Sequence, residues 1–315
     1  MAQVHVSVDP FHVGSLFTLR TLLRSLDPSG VPTLATIATV PPCRNLALLP
    51  GSFNPPTAAH LLFAERALGE GFDRVVFTYA VRTLGKERSG LIPEDRLLAV
   101  RAMIENSFGV GACSHGLYAD QADAAGRVMP GAEVALLVGS DKVLQIFEDR
   151  WYADRDAALE RLFASAALVV APRSDQEDAL RHVLDEPRNR RFRDRVEVLR
   201  LHPAVADLSS TRVRGMLRAG AEPAGLVPAG VAEMLGETGA FASPVSVGAE
   251  EIDAYGLRAD LIDLLWTART DDGAAIDLRA LWRIGMSPTE AGRRLRARLA
   301  EGSADAAALA AAAGV

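Results

Sequence analysis

Two groups of side chains, far apart in the chain, have the types and spacing to handle phosphate. The first runs from Gly51 through Asn54 and Thr57 to His60. An apolar run at residues 46–49 breaks at Pro50-Gly51, and a helical pattern begins near Ala58. The order is buried strand, glycine turn, helix start. Such a junction gathers backbone N–H groups and the positive end of a helix at one point, which favours an anion. His60 falls in the first turn of that helix, within reach of the same point. The second group is Leu208-Ser209-Ser210-Thr211-Arg212-Val213-Arg214. Val213, Met216 and Leu217 are spaced for one apolar helix face, and Ser209 or Ser210 would cap that helix. A capped helix alone accounts for the serines. Successive hydroxyls with Arg212 and Arg214 at a helix start also make an anion site.

The elements that must position these groups alternate. Strands are expected at residues 46–49, 74–80, 133–138, 166–171 and 196–201, and helices at 58–69, 92–106 and 175–184. This alternation predicts an α/β fold, a doubly wound parallel sheet with helices on both faces. Ligands in such sheets collect at the carboxyl ends of strands. The Gly51 turn, the Gly139-Ser140-Asp141 turn and Arg173 all fall at such ends. Asp141 would cap a helix running to Ile146. Before the sheet, Val4, Val6 and Val8 alternate like a short strand, and residues 17–26 fit a helix. After it, residues 250–267 and 279–299 look helical, with Trp266 and Trp282 as apolar anchors and a turn at Thr270-Asp271-Asp272-Gly273. The division expected is an N-terminal extension (1–43), the sheet domain (44–242) and a helical C-terminal extension (243–315).

With 315 residues, 49% of them hydrophobic, the chain can bury a sizeable core. A net charge of −6 argues against a nucleic-acid-binding surface. The arginine-rich run 188–195 is interrupted by Asp194 and fits a solvated face. The two cysteines, Cys43 and Cys113, form no CxxC pair, so neither a zinc site nor a disulfide framework is expected. There is no signal-peptide pattern and no apolar run of about 18 residues, which leaves a cytoplasmic protein without a membrane span as the expectation. A homo-oligomer is compatible with all of this.

The string Gly51-Ser52-Phe53-Asn54-Pro55-Pro56-Thr57-Ala58-Ala59-His60 resembles the first signature of the nucleotidyltransferase superfamily that includes the nicotinamide and nicotinate mononucleotide adenylyltransferases. Most members carry His where this chain has Thr57, and the Thr-x-x-His form is similar to the eukaryotic-type nicotinamide mononucleotide enzymes. The usual glycine before the last His is Ala59. Residues 208–214 resemble the Ile-Ser-Ser-Thr-x-x-Arg signature of the same family, and the resemblance spans roughly residues 44–242. Asp9-Pro10-Phe11-His12-Val13-Gly14 mimics part of the first signature. It lacks the preceding strand and glycine turn, and has Ser15 where the last His should be.

The resemblance implies transfer of AMP from ATP, with Mg²⁺, onto the phosphate of nicotinamide or nicotinate mononucleotide. Such an enzyme needs no covalent nucleophile; it positions the phosphates and neutralises developing charge. By the resemblance, His60, Arg214 and Thr57 would be catalytic. Gly51, Ser52, Phe53, Gly139, Asp141, Ser209, Ser210 and Thr211 would bind the nucleotide, and Lys86, Arg88 and Trp151 the acceptor. Arg96 and Lys142 are further candidates, and no protein metal ligands are expected. A second aromatic usual in the family is missing, and the stretch 116–120 offers only Tyr118. Two alternatives stay open: a cytidylyl or adenylyl transferase acting on another phosphorylated small molecule, and a nucleotide-binding regulator without turnover.

Overall fold

A computed structural model describes residues 6–37, 40–82, 90–104, 108–173, 176–268 and 276–302. Seven strands form one sheet: β1 (Leu34–Thr36), β2 (Asn45–Pro50), β3 (Arg74–Ala80), β4 (Phe108–Cys113), β5 (Glu133–Gly139), β6 (Ala167–Ala171) and β7 (Val196–Val198), in the order β1-β4-β3-β2-β5-β6-β7. Every pairing is parallel except β1 with β4. The chain moves outward from β2 to β4 on one side and from β5 to β7 on the other. The reversal between β2 and β5 opens a crevice at their carboxyl ends, where Gly51 and Gly139 lie.

Period-two alternation sorts side chains to the two faces. Ala47 and Leu49 of β2, Phe77 of β3 and Leu137 of β5 join one buried cluster. Leu46, Leu48, Val76 and Leu136 join the other. The helices follow in chain order: α1 (Val13–Ser25), α2 (Ala58–Gly69), α3 (Pro93–Met103), α4 (Tyr118–Val128), α5 (Ser140–Ile146), α6 (Arg155–Ser165), α7 (Glu177–Asp185), the single turn α8 (Pro203–Ala206), α9 (Ser210–Arg218) and α10 (Ala229–Thr238). Leucines and alanines of α4 and α6 fill the second cluster, while α2, α3 and α10 cover the first. The Rossmann-like fold and a helical C-terminal segment are as expected from sequence, but residues 250–252 form a strand instead of opening a helix, and the helix expected over 279–299 is broken in two at residues 286–289.

Beyond Phe241 a hairpin, β8 (Val245–Val247) with β9 (Glu250–Ile252), leads to α11 (Ala254–Ala268), α12 (Leu278–Gly285) and α13 (Glu290–Ala300). Leu261, Leu265, Leu281 and Leu295 are buried in the first cluster, alongside Leu97 and Leu98 of α3. The tryptophans anchor this segment to the other end of the chain. Trp266 meets Phe17 edge-on at 5.2 Å, and Trp282 tilts against Phe11 at 5.2 Å. The turn expected at 270–273 lies outside the described residues.

Several local expectations need correction. Residues 6–9 form no strand. Ser7 N–H donates to Ser15 Oγ and Phe11 N–H to Asp9 Oδ1, so side chains take the backbone groups that a ladder needs. The helix expected from residue 17 starts at Val13, capped by His12, whose Nδ1 accepts from Ser15 N–H at 3.1 Å. Asp141 is not the cap of α5; Gly139 is, and Asp141 sits in the first turn, 3.1 Å from Lys142 Nζ. β1 and β4 were not anticipated. β4 carries glycine where β-branched residues would signal a strand. A Cβ on Gly111 would lie 2.8 Å from Ala35 O, so the glycine lets β1 pair closely. In the arginine-rich run, Arg188, Arg191 and Arg193 are paired with Asp149, Glu160 and Asp185.

Candidate active site

The turn after β2 is held from all sides. Gly51 N–H donates to Thr78 O at 3.0 Å, extending the sheet by one residue. That amide is therefore engaged in the fold, and the missing side chain serves another purpose: a Cβ there would come within 2.5 Å of the Phe53 ring. Phe53 has φ of 46° and is 1% exposed. Such a backbone angle is costly for an aromatic residue and persists only where packing over-determines it. Here the ring is wedged edge-on against Phe77 and His60, at 5.9 and 5.6 Å. Arg96, buried on α3, donates from Nη1 to Ser52 Oγ at 2.8 Å, and its Nε donates to Leu91 O. Leu91 N–H in turn donates to Asn54 Oδ1 at 2.9 Å. The Asn54–Pro55 peptide is cis.

The two sequence motifs meet in this turn. Ser210 Oγ donates to Pro55 O at 2.8 Å, and Arg214 Nη1 donates to Asn54 O at 2.7 Å. Arg214 Nη2 also donates to Thr211 Oγ1 at 3.1 Å. Ser209 caps α9 by accepting from Arg212 N–H, as expected. Arg214 thus ties the second motif to the first while facing the crevice. Burial and the neighbouring Arg218 lower its pKa, which leaves a guanidinium charged at neutral pH.

His60 lies in the first turn of α2. Thr57 N–H donates to its Nδ1 at 3.0 Å, and Thr57 Oγ1 is 2.8 Å from the same atom. An Nδ1 that accepts puts the proton on Nε2, which becomes a donor toward the crevice. Burial pushes the His60 pKa down to about 4, so the free site holds a neutral imidazole rather than a cation. Thr57 is fully buried. Its hydroxyl orients His60 instead of reaching the crevice, a role that its place in the signature does not reveal.

Two cavities border this turn. The larger, about 690 Å³, is lined by Ser52, His60, Gly139, Asp141, Ser210 and Arg214, among others. It also takes in Phe53, Ser209, Thr211 and Arg173. The smaller, about 150 Å³, has Tyr118, Trp151 and Tyr152 as its aromatic walls and Ile146 and Gln145 beside them. Pro50, Gly51, Ser52 and Lys142 line both, so the cavities join at the signature turn. Lys142 donates to Gln145 Oε1 at 3.2 Å. Trp151 Nε1–H donates to Glu148, and Arg150 lies over one face of its ring. Burial raises the Tyr118 pKa and keeps its hydroxyl neutral. Tyr152, Gln145, Gln121 and Thr78 were not foreseen. The one available signal was the adjacency of Tyr152 to Trp151. Lys86 and Arg88 lie outside the described residues. Among the described residues no three metal-ligating side chains cluster, and no helix is long and apolar enough to cross a membrane.

A doubly wound sheet whose switch-point crevice is lined by a histidine and arginines has the architecture in which nucleotides are commonly bound. Residues 48–216 match the cytidylyltransferase-like family. The chain is 31% identical over 208 residues to a probable nicotinate-nucleotide adenylyltransferase of Gemmatimonas aurantiaca, covering 62% of this chain and 92% of that one. It is 32% identical over 216 residues to a probable nicotinate-nucleotide adenylyltransferase of Geobacter sulfurreducens, covering 62% and 97%. Among solved structures it is similar to the nicotinic acid mononucleotide adenylyltransferase of Plasmodium falciparum, with a TM-score of 0.49, 12% identity, and 63% and 98% coverage. The chain belongs to the cytidylyltransferase-like nucleotidyltransferases and, among them, to the nicotinamide/nicotinate mononucleotide adenylyltransferase family.

Proposed function

We propose that the enzyme transfers AMP from ATP to the phosphate of nicotinate mononucleotide, forming the dinucleotide and pyrophosphate. The observation that carries this is the joining of two unlike cavities at Gly51–Ser52. A triphosphate suits the larger, with its donors and charges, and a flat ring suits the smaller, between Tyr118, Trp151 and Tyr152. The acceptor phosphate then falls at their junction, next to the α-phosphate. One of its oxygens attacks the α-phosphorus, and the bond to the bridging oxygen breaks, its electron pair leaving with pyrophosphate. His60 and Arg214 line the larger cavity, and the His60 Nε2–H and the Arg214 guanidinium would stabilise charge on the phosphates as it moves to the leaving group. Mg²⁺ would arrive with the triphosphate and supply further charge neutralisation.

The acid form is favoured over the amide by the start of α4. Gly116, Leu117 and Tyr118 border the smaller cavity, and α4 begins with no side-chain cap. First-turn amides of a helix favour a carboxylate. The names of the relatives agree with this preference. The test is pyrophosphate release with ATP, Mg²⁺ and a panel of acceptors. Nicotinate mononucleotide should exceed its amide counterpart in kcat/KM by about tenfold, the worth of one charge-assisted contact. Turnover with some other phosphorylated acceptor alone would move the assignment to that acceptor. ATP binding without any release would leave a regulator.

A further inference from the structure

Three consecutive buried side chains at the start of α3 reach three different parts of the chain. Glu94 Oε1 accepts from Arg20 Nε of α1 at 2.5 Å. Asp95 is paired through both oxygens with Arg258 of α11, at 2.5 and 2.9 Å, and both side chains are fully buried. Arg96 turns the other way, onto Ser52. Arg258 also donates from Nε to Pro10 O at 3.1 Å, joining the two ends of the chain. Tyr255, three residues before Arg258, completes the contact. Its hydroxyl donates to Asp95 Oδ2 at 2.7 Å and accepts from Ile92 N–H at 2.8 Å.

From Ile92 the path to the signature turn is one residue long. Leu91 N–H donates to Asn54, and Leu91 O accepts from the Arg96 guanidinium that holds Ser52. Gly90, with φ of 85°, packs so closely that a Cβ would lie 2.5 Å from the Asn54 side chain. Each link is a hydrogen bond of a buried or half-buried group, and such a network transmits the position of one member to the next. None of α11 lies within residues 48–216, where the family match falls.

We infer that Tyr255 and Arg258 of the C-terminal extension are positioning residues for nucleotidyl transfer, acting through Ile92, Asp95 and Arg96 on Ser52 and Asn54. The inference rests on the signature turn being the site of transfer. It makes the extension part of the catalytic scaffold rather than an appendage to it. Loss of the link should loosen the turn at the junction of the two cavities, so the penalty belongs to kcat more than to either KM.

Tyr255→Phe is the variant of choice, because it keeps the ring and the Arg258–Asp95 pair while deleting one hydroxyl. Removing a partner from a buried ion pair is more damaging, so Arg258→Lys serves as a second, charge-retaining variant. Measured well below Tm, Tyr255→Phe should lower kcat about tenfold, with both KM values within about threefold. Amide exchange at Leu91, Ser52 and Asn54 should quicken by a similar factor. In a double-mutant cycle, Tyr255→Phe and Ser52→Ala should be sub-additive in kcat, as members of one network are. Thr238→Val, which deletes a buried hydroxyl bonded to Met234 O, should lower Tm without changing kcat. The inference is overturned if Tyr255→Phe behaves like Thr238→Val, losing stability but neither turnover nor exchange protection. The exchange arm decides it even if the unsubstituted chain fails to turn over nicotinate mononucleotide, an outcome that would count against the acceptor assignment alone.

Discussion

The two cavities that share the signature turn are built in opposite ways. The larger is made where the backbone ends: the carboxyl ends of β2, β5 and β6, and the amino ends of α2, α5 and α9. Its polar groups are fixed by short hydrogen bonds to one another and to the turn. The smaller is walled by side chains from α4, α5 and the turn around Trp151. Phosphate oxygens demand donors at set positions, which only a rigid junction supplies. A pyridine ring demands a flat apolar slot, which many side-chain combinations supply. On the proposed function, chemistry sits on the first cavity and acceptor choice on the second.

His60→Ala is the largest expected effect, because it removes a donor from the side where the barrier is set. Turnover should fall by roughly 10²–10³-fold, as when one preorganised donor to developing charge is lost, with the KM for the acceptor nearly unchanged. A comparable rise in acceptor KM with kcat intact would collapse the distinction between the cavities. Thr57→Val should reproduce part of the loss, since Thr57 holds the imidazole and is itself out of reach of a ligand.

The buried imidazole also predicts a pH signature. Its pKa is about 4 in the folded chain and near 6.5 once unfolded. Between those values the unfolded state takes up a proton that the folded state refuses, so stability falls as pH drops from about 6.5 to 4. Above 6.5 both states hold a neutral ring and the term vanishes; below 4 the loss is complete. The total is at most about 3 kcal/mol. Denaturant unfolding of the wild type and His60→Gln at pH 7 and pH 4.5 isolates it, because other groups cancel between the two proteins. The difference between wild type and variant should shift by about 2 kcal/mol against the wild type at the lower pH. A pH-independent difference would mean that the ring is solvated and not held by Thr57.

The same contrast explains what could be read from the chain. The sheet was legible because β2, β3, β5 and β6 are buried on both faces and read as continuous apolar runs. β4 was not, because its glycines answer to neighbours from elsewhere: Gly111 to the close approach of β1 at Ala35, and Gly109 to the side chains of Val40 and Val76. The meeting of the two motifs in the larger cavity was legible because the residue types proposed for phosphate follow from a phosphate's charge. Even there, the contacts of single residues were not legible. Gly51 makes room for the Phe53 ring while its N–H donates to Thr78 O, and Thr57 holds His60. Such roles depend on which neighbour arrives from elsewhere in the chain. Tyr152 and Gln145 were hidden for the same reason, as was the link from Tyr255 to Ile92 across 163 residues of sequence.

Trp151→Ala tests the acceptor side, with a smaller expected effect. The ring is partly buried, with Arg150 over one face at 4.8 Å and its Nε1–H bound to Glu148. Its contribution to a bound pyridine is therefore a wall and not a polar contact. Deleting it should raise the acceptor KM by about tenfold, the worth of one aromatic contact, while the KM for ATP stays within about twofold. Trp151→Phe should recover most of the loss, because a flat apolar surface is what the slot provides. If Trp151→Ala instead raised the KM for ATP by as much as that for the acceptor, the pyridine ring would not lie in the smaller cavity. The junction at Gly51–Ser52 would then separate two parts of one nucleotide rather than two substrates.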